Sequence, residues 1–220
     1  MKTRIKICGL TREQDVDAAV AAGADAIGFV LFEQSARYIT VKRAAELSRR
    51  LPPFVTPVLL FVNAPAQTVS EACACIPHAT LQFHGDETPE KCWADSGQGV
   101  HPYMRAARIP LDERAADFDL LKYAQDYSQA QAILLDAHVD GYGGGGKAFN
   151  WSLLPPSVNA HLVLGGGLSA ANVADGIRQV GPRARSLAVD VSSGVEMSKG
   201  IKDPEKITQF VAAVRAAEHS

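Results

Sequence analysis

The fold prediction starts from the stretch Lys6-Ile7-Cys8-Gly9-Leu10-Thr11. Residues 4–8 alternate polar and apolar side chains, and this period of two indicates a strand. Gly9 interrupts the alternation, and Thr11 stands three positions before Gln14, the spacing of a helix capping box. An amphipathic run rich in Ala and Val then predicts a helix over about residues 13–22. Cys8 is therefore expected at the carboxyl end of a strand, where the helix amino terminus favours a thiolate.

A second stretch near the other end of the chain reads Asp190-Val191-Ser192-Ser193-Gly194-Val195-Glu196. It closes another predicted strand, and its small residues let backbone N–H groups approach an anion. We expect the two stretches to be neighbours in a closed barrel, with the reaction taking place over their rim.

Composition narrows the class of protein. The chain has 220 residues, of which 47% are hydrophobic and 21% charged, as is typical of one α/β domain. A net charge of −2 gives no reason to expect nucleic acid or a membrane as partner, and no apolar run has transmembrane or secretory character. The cysteines lack the spacing of a zinc site or a disulfide framework, which favours a cytoplasmic protein with reduced thiols: Cys8, Cys73, Cys75 and Cys92.

Short apolar strands alternate with amphipathic helices along the whole chain. Strands are predicted at residues 4–8, 24–31, 57–62, 80–83, 99–104, 132–135, 161–164 and 187–191. Helices are predicted at about residues 13–22, 41–51, after Pro65, at 88–94 and 111–124, near Trp151, after a cap at Ser169, and at 204–217. The pattern predicts a single (β/α)8 TIM barrel domain over residues 1–220, with eight parallel strands and outer helices. A doubly wound sheet is the alternative, but it usually carries a G-x-G-x-x-G turn that is absent after the first strand.

Strand parity points to the rim. The strand faces that pack on helices must be apolar, so polar residues of opposite parity should point inward: Gln82 and His84, Asp136, and Asp190 and Ser192. Lys6 and Asp190 share this parity on strands that become adjacent when the barrel closes, so we expect them to pair inside.

Three of the inward groups can move protons: Cys8, His84 and Asp136. A base and an acid on opposite sides of one small molecule suit an isomerisation. Each group also has an ordinary structural interpretation: Cys8 as a buried apolar residue, Asp136 as a loop-stabilising carboxylate, and His84 as a positioning residue.

Two glycine-containing turns predict a phosphate site, Gly165-Gly166-Gly167 after the seventh strand and Ser192-Ser193-Gly194 after the eighth. The glycine-rich run Gly141–Gly146 lacks the phosphate-loop motif and is interpreted as a lid. Arg37 follows the second strand and could hold a carboxylate in bidentate fashion, or it could be a solvated surface charge.

The chain resembles the phosphoribosylanthranilate isomerase family nearly from end to end. The resemblance is carried, in order, by residues 6–11 (KICGLT), 23–29 (GADAIGF), 35–38 (SARY), 82–86 (QFHGD), 134–136 (LLD), 165–168 (GGGL) and 190–196 (DVSSGVE). It implies a tryptophan-pathway enzyme that converts N-(5-phosphoribosyl)anthranilate into 1-(2-carboxyphenylamino)-1-deoxyribulose 5-phosphate, without metal or organic cofactor.

The resemblance also implies roles for individual residues. Cys8 would be the general base, Asp136 the general acid, and Arg37 the partner of the anthranilate carboxylate. The remaining residues expected to bind the substrate are His84, Gly166, Gly167, Asp190, Ser192, Ser193 and Gly194. The chain departs from the family pattern at Ala36, Gly145 and Met197. A small phosphosugar-anthranilate substrate is the expected partner, and a monomer or a homodimer the expected assembly.

Other functions remain open at this point. The histidine-pathway isomerase runs similar chemistry with two Asp residues, and the barrel synthase that closes an indole ring needs a Lys and Glu set. A phosphosugar-binding barrel without catalysis is a further alternative. Cys8 together with Asp136 stands against all three.

Overall fold

The computed structural model describes residues 2–111, 117–137 and 148–218. Eight parallel strands pair in chain order and close into a barrel, because β1 pairs with both β2 and β8. The strands are β1 Arg4–Cys8, β2 Ala26–Val30, β3 Thr56–Phe61, β4 Thr80–Phe83, β5 Tyr103–Ile109, β6 Ala132–Ala137, β7 His161–Leu164 and β8 Ser186–Val191. The predicted (β/α)8 barrel is confirmed.

Seven helices are found among the described residues, and they lie outside the barrel. They are α1 Glu13–Ala22, α2 Val41–Ser48, α3 Ala66–Cys75, α4 Pro89–Asp95, α5 Leu120–Asp126, α6 Val173–Val180 and α7 Pro204–Ala217. Short 3-10 turns occur at Trp151–Leu153, Gly181–Arg183 and Ser193–Val195. In the part of the chain described here, no helix has the length and apolar character that crossing a membrane requires.

The strand parity follows the prediction. Outward side chains such as Ile7, Phe83 and Val189 belong to the large core between barrel and helices. The inward side chains of β1 and β6, by contrast, form two smaller clusters, around Cys8 and around Leu134. The barrel interior is therefore a compartment separate from the large core, and it also holds the buried polar side chains of Lys6, Gln82 and Asp136.

Four local predictions were wrong. The helix predicted at 111–124 begins at Leu120, since residues 118 and 119 are not helical. The fifth strand begins at Tyr103, not at residue 99, because Gly97 and Gly99 adopt left-handed backbone angles and extend the turn after α4. Thr11 does not cap α1, and its hydroxyl instead donates to the Gly200 carbonyl at 3.1 Å. Ser169 does not cap α6 either. The N-cap is Asn172, whose side chain accepts from the Ser169 N–H at 2.8 Å.

An antiparallel hairpin follows β8 and had no counterpart in the sequence prediction. Its strands are β9 Glu196–Ser198 and β10 Ile201–Lys202, and Lys202 pairs with Glu196. Gly200 forms the turn at φ +80°, and a side chain at this position would meet the Ala36 carbonyl oxygen at 2.8 Å. The hairpin therefore lies against the loop that follows β2.

Candidate active site

Cys8 ends β1 inside the barrel mouth and is 5% exposed. Its neighbour across the sheet is Gly28 on β2. A Cβ atom at Gly28 would lie 2.7 Å from the Cys8 sulfur and 3.1 Å from Cε of Lys6. The missing side chain therefore makes the space for the thiol, a requirement that the sequence pattern did not reveal.

A buried ion pair lies below the thiol. Nζ of Lys6 contacts Oδ2 of Asp190 at 2.9 Å, and the two residues are register partners on β1 and β8. The predicted interior pair is confirmed. Burial alone would lower the pKa of Lys6, but its attraction to Asp190 and its contact with Cys8 outweigh burial and raise that pKa. Lys6 is therefore a cation that faces the thiol.

The surroundings of Cys8 disfavour the predicted thiolate. Burial raises the pKa of the Cys8 thiol above its ordinary value, and the Asp190 carboxylate raises it further. The charges of Lys6 and Lys202 lower that pKa without overcoming burial. We expected the amino terminus of α1, with help from Lys6, to lower the pKa of Cys8; Lys6 does lower it, but burial outweighs this effect and the net shift is upward.

Asp136 lies in β6 and forms a hydrogen-bonded chain with two residues of inward parity near the end of β4. Its Oδ2 is 2.9 Å from Nε2 of His84, and Nδ1 of His84 is 2.8 Å from Nε2 of Gln82. The amide nitrogen of Gln82 faces Nδ1, an arrangement that suits the ring tautomer with its proton on Nε2, facing Asp136. Oδ1 of Asp136 accepts from the Ala137 N–H at 2.9 Å. Both ring nitrogens of His84 thus have partners within the chain.

Two buried charged residues hold the end of β4, and sequence reasoning missed both. Arg105 donates to the carbonyl oxygens of Phe83 and Gly85, at 2.9 Å each, on either side of His84. Glu87 accepts from the Gly85 N–H at 2.9 Å. The sequence prediction expected outward side chains of the strands to be apolar, so Arg105 was overlooked. Its side chain points outward from β5 into the apolar layer, and the guanidinium lies 5.1 Å from the centre of the Tyr127 ring.

The two turns predicted to bind phosphate lie against each other. Gly166 and Gly167 both have left-handed backbone angles, and a Cβ atom at Gly166 would lie 2.6 Å from the Ala137 nitrogen. A Cβ atom at Gly194 would lie 1.9 Å from the Leu168 carbonyl oxygen, so only glycine fits there. Ser193 and Gly194 open a 3-10 turn, and their amides have no acceptor within the described residues.

Arg37 lies over Gly9 and is not a solvated surface charge. Its Nε and Nη2 donate to the two carboxylate oxygens of Glu196, at 2.6 and 2.7 Å. The hydrogen bonds to Glu196 raise the pKa of Arg37. This contact occupies one edge of the guanidinium and leaves the Nη1 edge without a partner among the described residues.

Asp190 has one buried oxygen, Oδ1, without a hydrogen-bond partner in the part of the chain that the structure describes. A buried acceptor without a donor is costly, so this atom invites a hydroxyl donor from a ligand. The expected lid over residues 141–146 lies outside the described residues. Within them, no group of His, Cys, Asp and Glu side chains is arranged to hold a metal ion.

Comparison with known proteins gives one consistent family. The family model described as N-(5'-phosphoribosyl)anthranilate (PRA) isomerase matches residues 5–213. A protein of that name from Methylibium petroleiphilum is 60% identical over 218 residues, covering 99% of this chain and 96% of the relative.

Solved structures agree with the sequence relatives. The crystal structure of phosphoribosyl anthranilate isomerase from Thermotoga maritima superimposes with a TM-score of 0.82 at 36% identity, covering 97% of this chain and 99% of that one. A second structure of such an isomerase, in complex with reduced 1-(o-carboxyphenylamino)-1-deoxyribulose 5-phosphate, gives a TM-score of 0.76 at 32% identity, with coverage of 97% and 99%.

Proposed function

The chain belongs to the N-(5'-phosphoribosyl)anthranilate isomerase family, and from this premise we propose that Cys8 and Asp136 divide its acid–base chemistry. The chain is an isomerase of tryptophan biosynthesis that rearranges N-(5-phosphoribosyl)anthranilate to 1-(2-carboxyphenylamino)-1-deoxyribulose 5-phosphate. The observation that carries the assignment is the position of the two groups, both inward and both at carboxyl ends of strands that are not neighbours.

The reaction divides into two proton transfers. Protonated Asp136 donates its proton to the furanose ring oxygen, the bond from this oxygen to C1 breaks, and the anilino nitrogen forms an iminium with C1. The Cys8 thiol gives up its own proton to water, and the resulting thiolate then removes the proton from C2 while the electron pair moves to the iminium to give an enolamine. Tautomerisation gives the ketone. The iminium accepts the electrons, so the chemistry needs no further electron sink.

The acid step comes first because the C2 proton becomes acidic only beside the iminium. Burial raises the pKa of Cys8, so the resting base is neutral. Ring opening creates a cation next to the sulfur, and this charge acts together with Lys6 to favour the thiolate. The base is therefore activated by the intermediate on which it acts, and an idle enzyme does not carry a reactive thiolate.

His84 acts through Asp136. Its ring holds the Asp136 carboxyl group in one orientation, and Gln82 holds the ring. Oδ1 of Asp190 accepts a hydroxyl of the opened ribose chain, which gives that buried oxygen its missing donor. A variant His84→Ala should lower kcat at nearly constant KM, whereas direct contact of His84 with the substrate would raise KM.

The substrate is anchored by its two anionic ends. The phosphate accepts from the amides of Gly167, Ser193 and Gly194, with Gly166 and Ser192 shaping the two turns. The free edge of Arg37 holds the anthranilate carboxylate. Binding and chemistry therefore use different residues, and this separation can be tested.

Two variants test the division of labour. Cys8→Ser keeps the shape but lacks an adequate base, so kcat should fall at least ~10²-fold, and Asp136→Asn should cost at least as much. Affinity for the reduced product analogue should change little in either variant, because the anion contacts are elsewhere. Near-normal turnover by Cys8→Ser would remove the base assignment. A parallel loss of analogue affinity would mean that the residues only position the substrate.

The whole chain of residues 1–220 is expected to behave as one domain, as a monomer or homodimer, in the cytoplasm. Light scattering after size-exclusion chromatography decides the assembly, limited proteolysis tests the single domain, and cell fractionation tests the location.

A further inference from the structure

The β9–β10 hairpin carries two buried charges that the reaction does not use. Glu196 is 8% exposed and Lys202 is fully buried. Both lie between the Arg37 side chain and the Ser192–Gly194 turn. The proposed function assigns the substrate carboxylate to Arg37 and the phosphate to the turn. Charges buried there are expensive, so their contacts indicate what they do.

Glu196 holds one edge of Arg37. The carboxylate accepts from Nε and Nη2 in side-on geometry, which fixes the plane of the guanidinium. The Nη1 edge of Arg37 is therefore held in a single orientation. The contacts with Arg37 and Lys202 lower the pKa of Glu196 although burial alone would raise it. Glu196 is therefore an anion that orients Arg37.

Lys202 connects Glu196 to the phosphate turn. Its Nζ is 2.9 Å from Oε1 of Glu196, 3.0 Å from the carbonyl oxygen of Ser192 and 3.2 Å from the Ser192 hydroxyl. An ammonium group has three N–H donors, and all three are used here. Lys202 therefore cannot also bind the phosphate, and its contacts are those of a connector.

The charges also match one carboxylate. Arg37 and Lys202 are positive and Glu196 is negative, which leaves one positive charge for the monoanionic carboxylate. Without Lys202 the Glu196 charge would repel the incoming carboxylate, and without Glu196 nothing would fix the Arg37 plane.

The hairpin itself is firmly anchored. Nζ of Lys206 donates to the Glu196 carbonyl at 2.8 Å, and the Asp203 N–H donates to the Val195 carbonyl at 2.9 Å. Thr11 holds the turn through the Gly200 carbonyl. A displacement of the hairpin would disturb α1 and α7 as well, so its two charges are held in place.

We propose that Glu196 and Lys202 are positioning residues that hold the Arg37 side chain and the Ser192–Gly194 turn at a fixed separation matched to the substrate. The inference rests on the proposed function, because it assumes that Arg37 and the Ser192–Gly194 turn bind the two anions. It goes further by assigning the spacing between the two bound anions to a hairpin whose side chains contact Arg37 and Ser192 and not the substrate.

Two probes read the two ends separately: inorganic phosphate and anthranilate, each as a competitive inhibitor of turnover. Glu196→Gln should raise the anthranilate inhibition constant about 10-fold and leave the phosphate constant within about twofold, because Arg37 loses its charged partner whereas Lys202 keeps its two contacts with Ser192. Lys202→Met should raise both constants by about 10-fold or more, because it supports both ends. In both variants KM should rise more than kcat falls.

The controls separate the inference from the function on which it rests. Lys91→Met removes a lysine that pairs with Asp95 at 2.6 Å on α4, and it should change neither constant. Arg37→Lys should raise only the anthranilate constant, since an ammonium cannot copy the planar fork. No effect in Arg37→Lys would remove the carboxylate assignment itself.

One result would contradict the inference and leave the proposed function intact. In it, Arg37→Lys raises the anthranilate inhibition constant, but the Glu196 and Lys202 variants leave both inhibition constants unchanged, as Lys91→Met does. The inference also fails if these variants lose stability with both inhibition constants unchanged. Glu196→Gln/Lys202→Met removes both hairpin charges and leaves the local net charge unchanged, with Arg37 as the one charge that loses its partner. It therefore tests the inference if Lys202→Met alone does not fold. This double variant should raise both constants.

Discussion

As the proposed general base, Cys8 must lose its proton in an environment that disfavours the thiolate. Its sulfur lies between a cation, Lys6, and an anion, Asp190, and the low exposure of the site decides the balance in favour of the neutral form. A general base with a raised pKa is protected from side reactions until a substrate cation appears beside it. The chemistry of this residue therefore depends on its surroundings more than on its position before a helix.

The state of Cys8 can be measured by alkylation of the free enzyme with iodoacetamide across pH, followed by mass spectrometry of the Cys8 peptide. Only the thiolate reacts, and burial raises the pKa, so the rate should rise with pH through a midpoint above the ~8.5 of an ordinary thiol. N-acetylcysteine in the same solution is the control. A midpoint below that of the control would mean that the helix terminus and Lys6 prevail over burial.

Each proposed catalytic side chain comes from one strand, and the neighbouring strands decide whether there is space for it. β1 and β2 are register partners at Cys8 and Gly28, and the thiol occupies the space that a β2 side chain would take. β4 is held at its end by Arg105 and Glu87, which keeps His84 within reach of Asp136 on β6. Each proposed catalytic group thus depends on a residue of another element.

Gly28→Ala tests this dependence at β2. The new methyl group would meet the Cys8 sulfur at 2.7 Å and its Cα at 3.0 Å, so the thiol has to move. We expect a loss of about 1–3 kcal/mol in the free energy of unfolding from overpacking, with a fall in kcat larger than any change in KM. Gly181→Ala is the control, since its Cβ atom would come no closer than 3.9 Å to Leu187 and its φ of −53° suits alanine. Equal kcat in the two variants would contradict the prediction.

Barrel closure brings the two ends of the chain together. The first and last strands are joined inside by Lys6 and Asp190, whose side chains are 4% and 11% exposed. This ion pair lies between the proposed base and the β8 turn, so the seam of the barrel is also part of the site. Removing one partner would leave the other as an uncompensated buried charge.

Lys6→Met should lower the free energy of unfolding by about 3–5 kcal/mol, measured by urea denaturation. The matched control is Arg4→Met on the same strand, because Arg4 pairs with Asp25 at 2.7 Å but is 64% exposed. This exposed pair should contribute at most about 1 kcal/mol. Lys6→Met/Asp190→Asn, which removes both charges, should recover part of the loss. Equal losses of unfolding free energy in Lys6→Met and Arg4→Met would show that the interior pair contributes no more to stability than an exposed pair.

The amino-acid sequence determined the barrel, its strand parity and the inward position of Cys8, His84, Asp136 and Asp190. These features follow from local alternation and from turns, and closure in chain order then makes the first and last strands neighbours. Lys6 and Asp190 are 184 residues apart, yet their pairing could be predicted for this reason.

Only the tertiary structure decided the partners of Arg37 and His84 and the direction in which the pKa of Cys8 shifts. Glu196 is 159 residues from Arg37, and it reaches that residue through a hairpin that is not one of the eight repeated strands. The contact between His84 and Asp136 spans 52 residues and depends on how two side chains turn inside the barrel. The pKa of Cys8 is raised by burial, which no local pattern contains, because burial is the sum of everything packed around the sulfur.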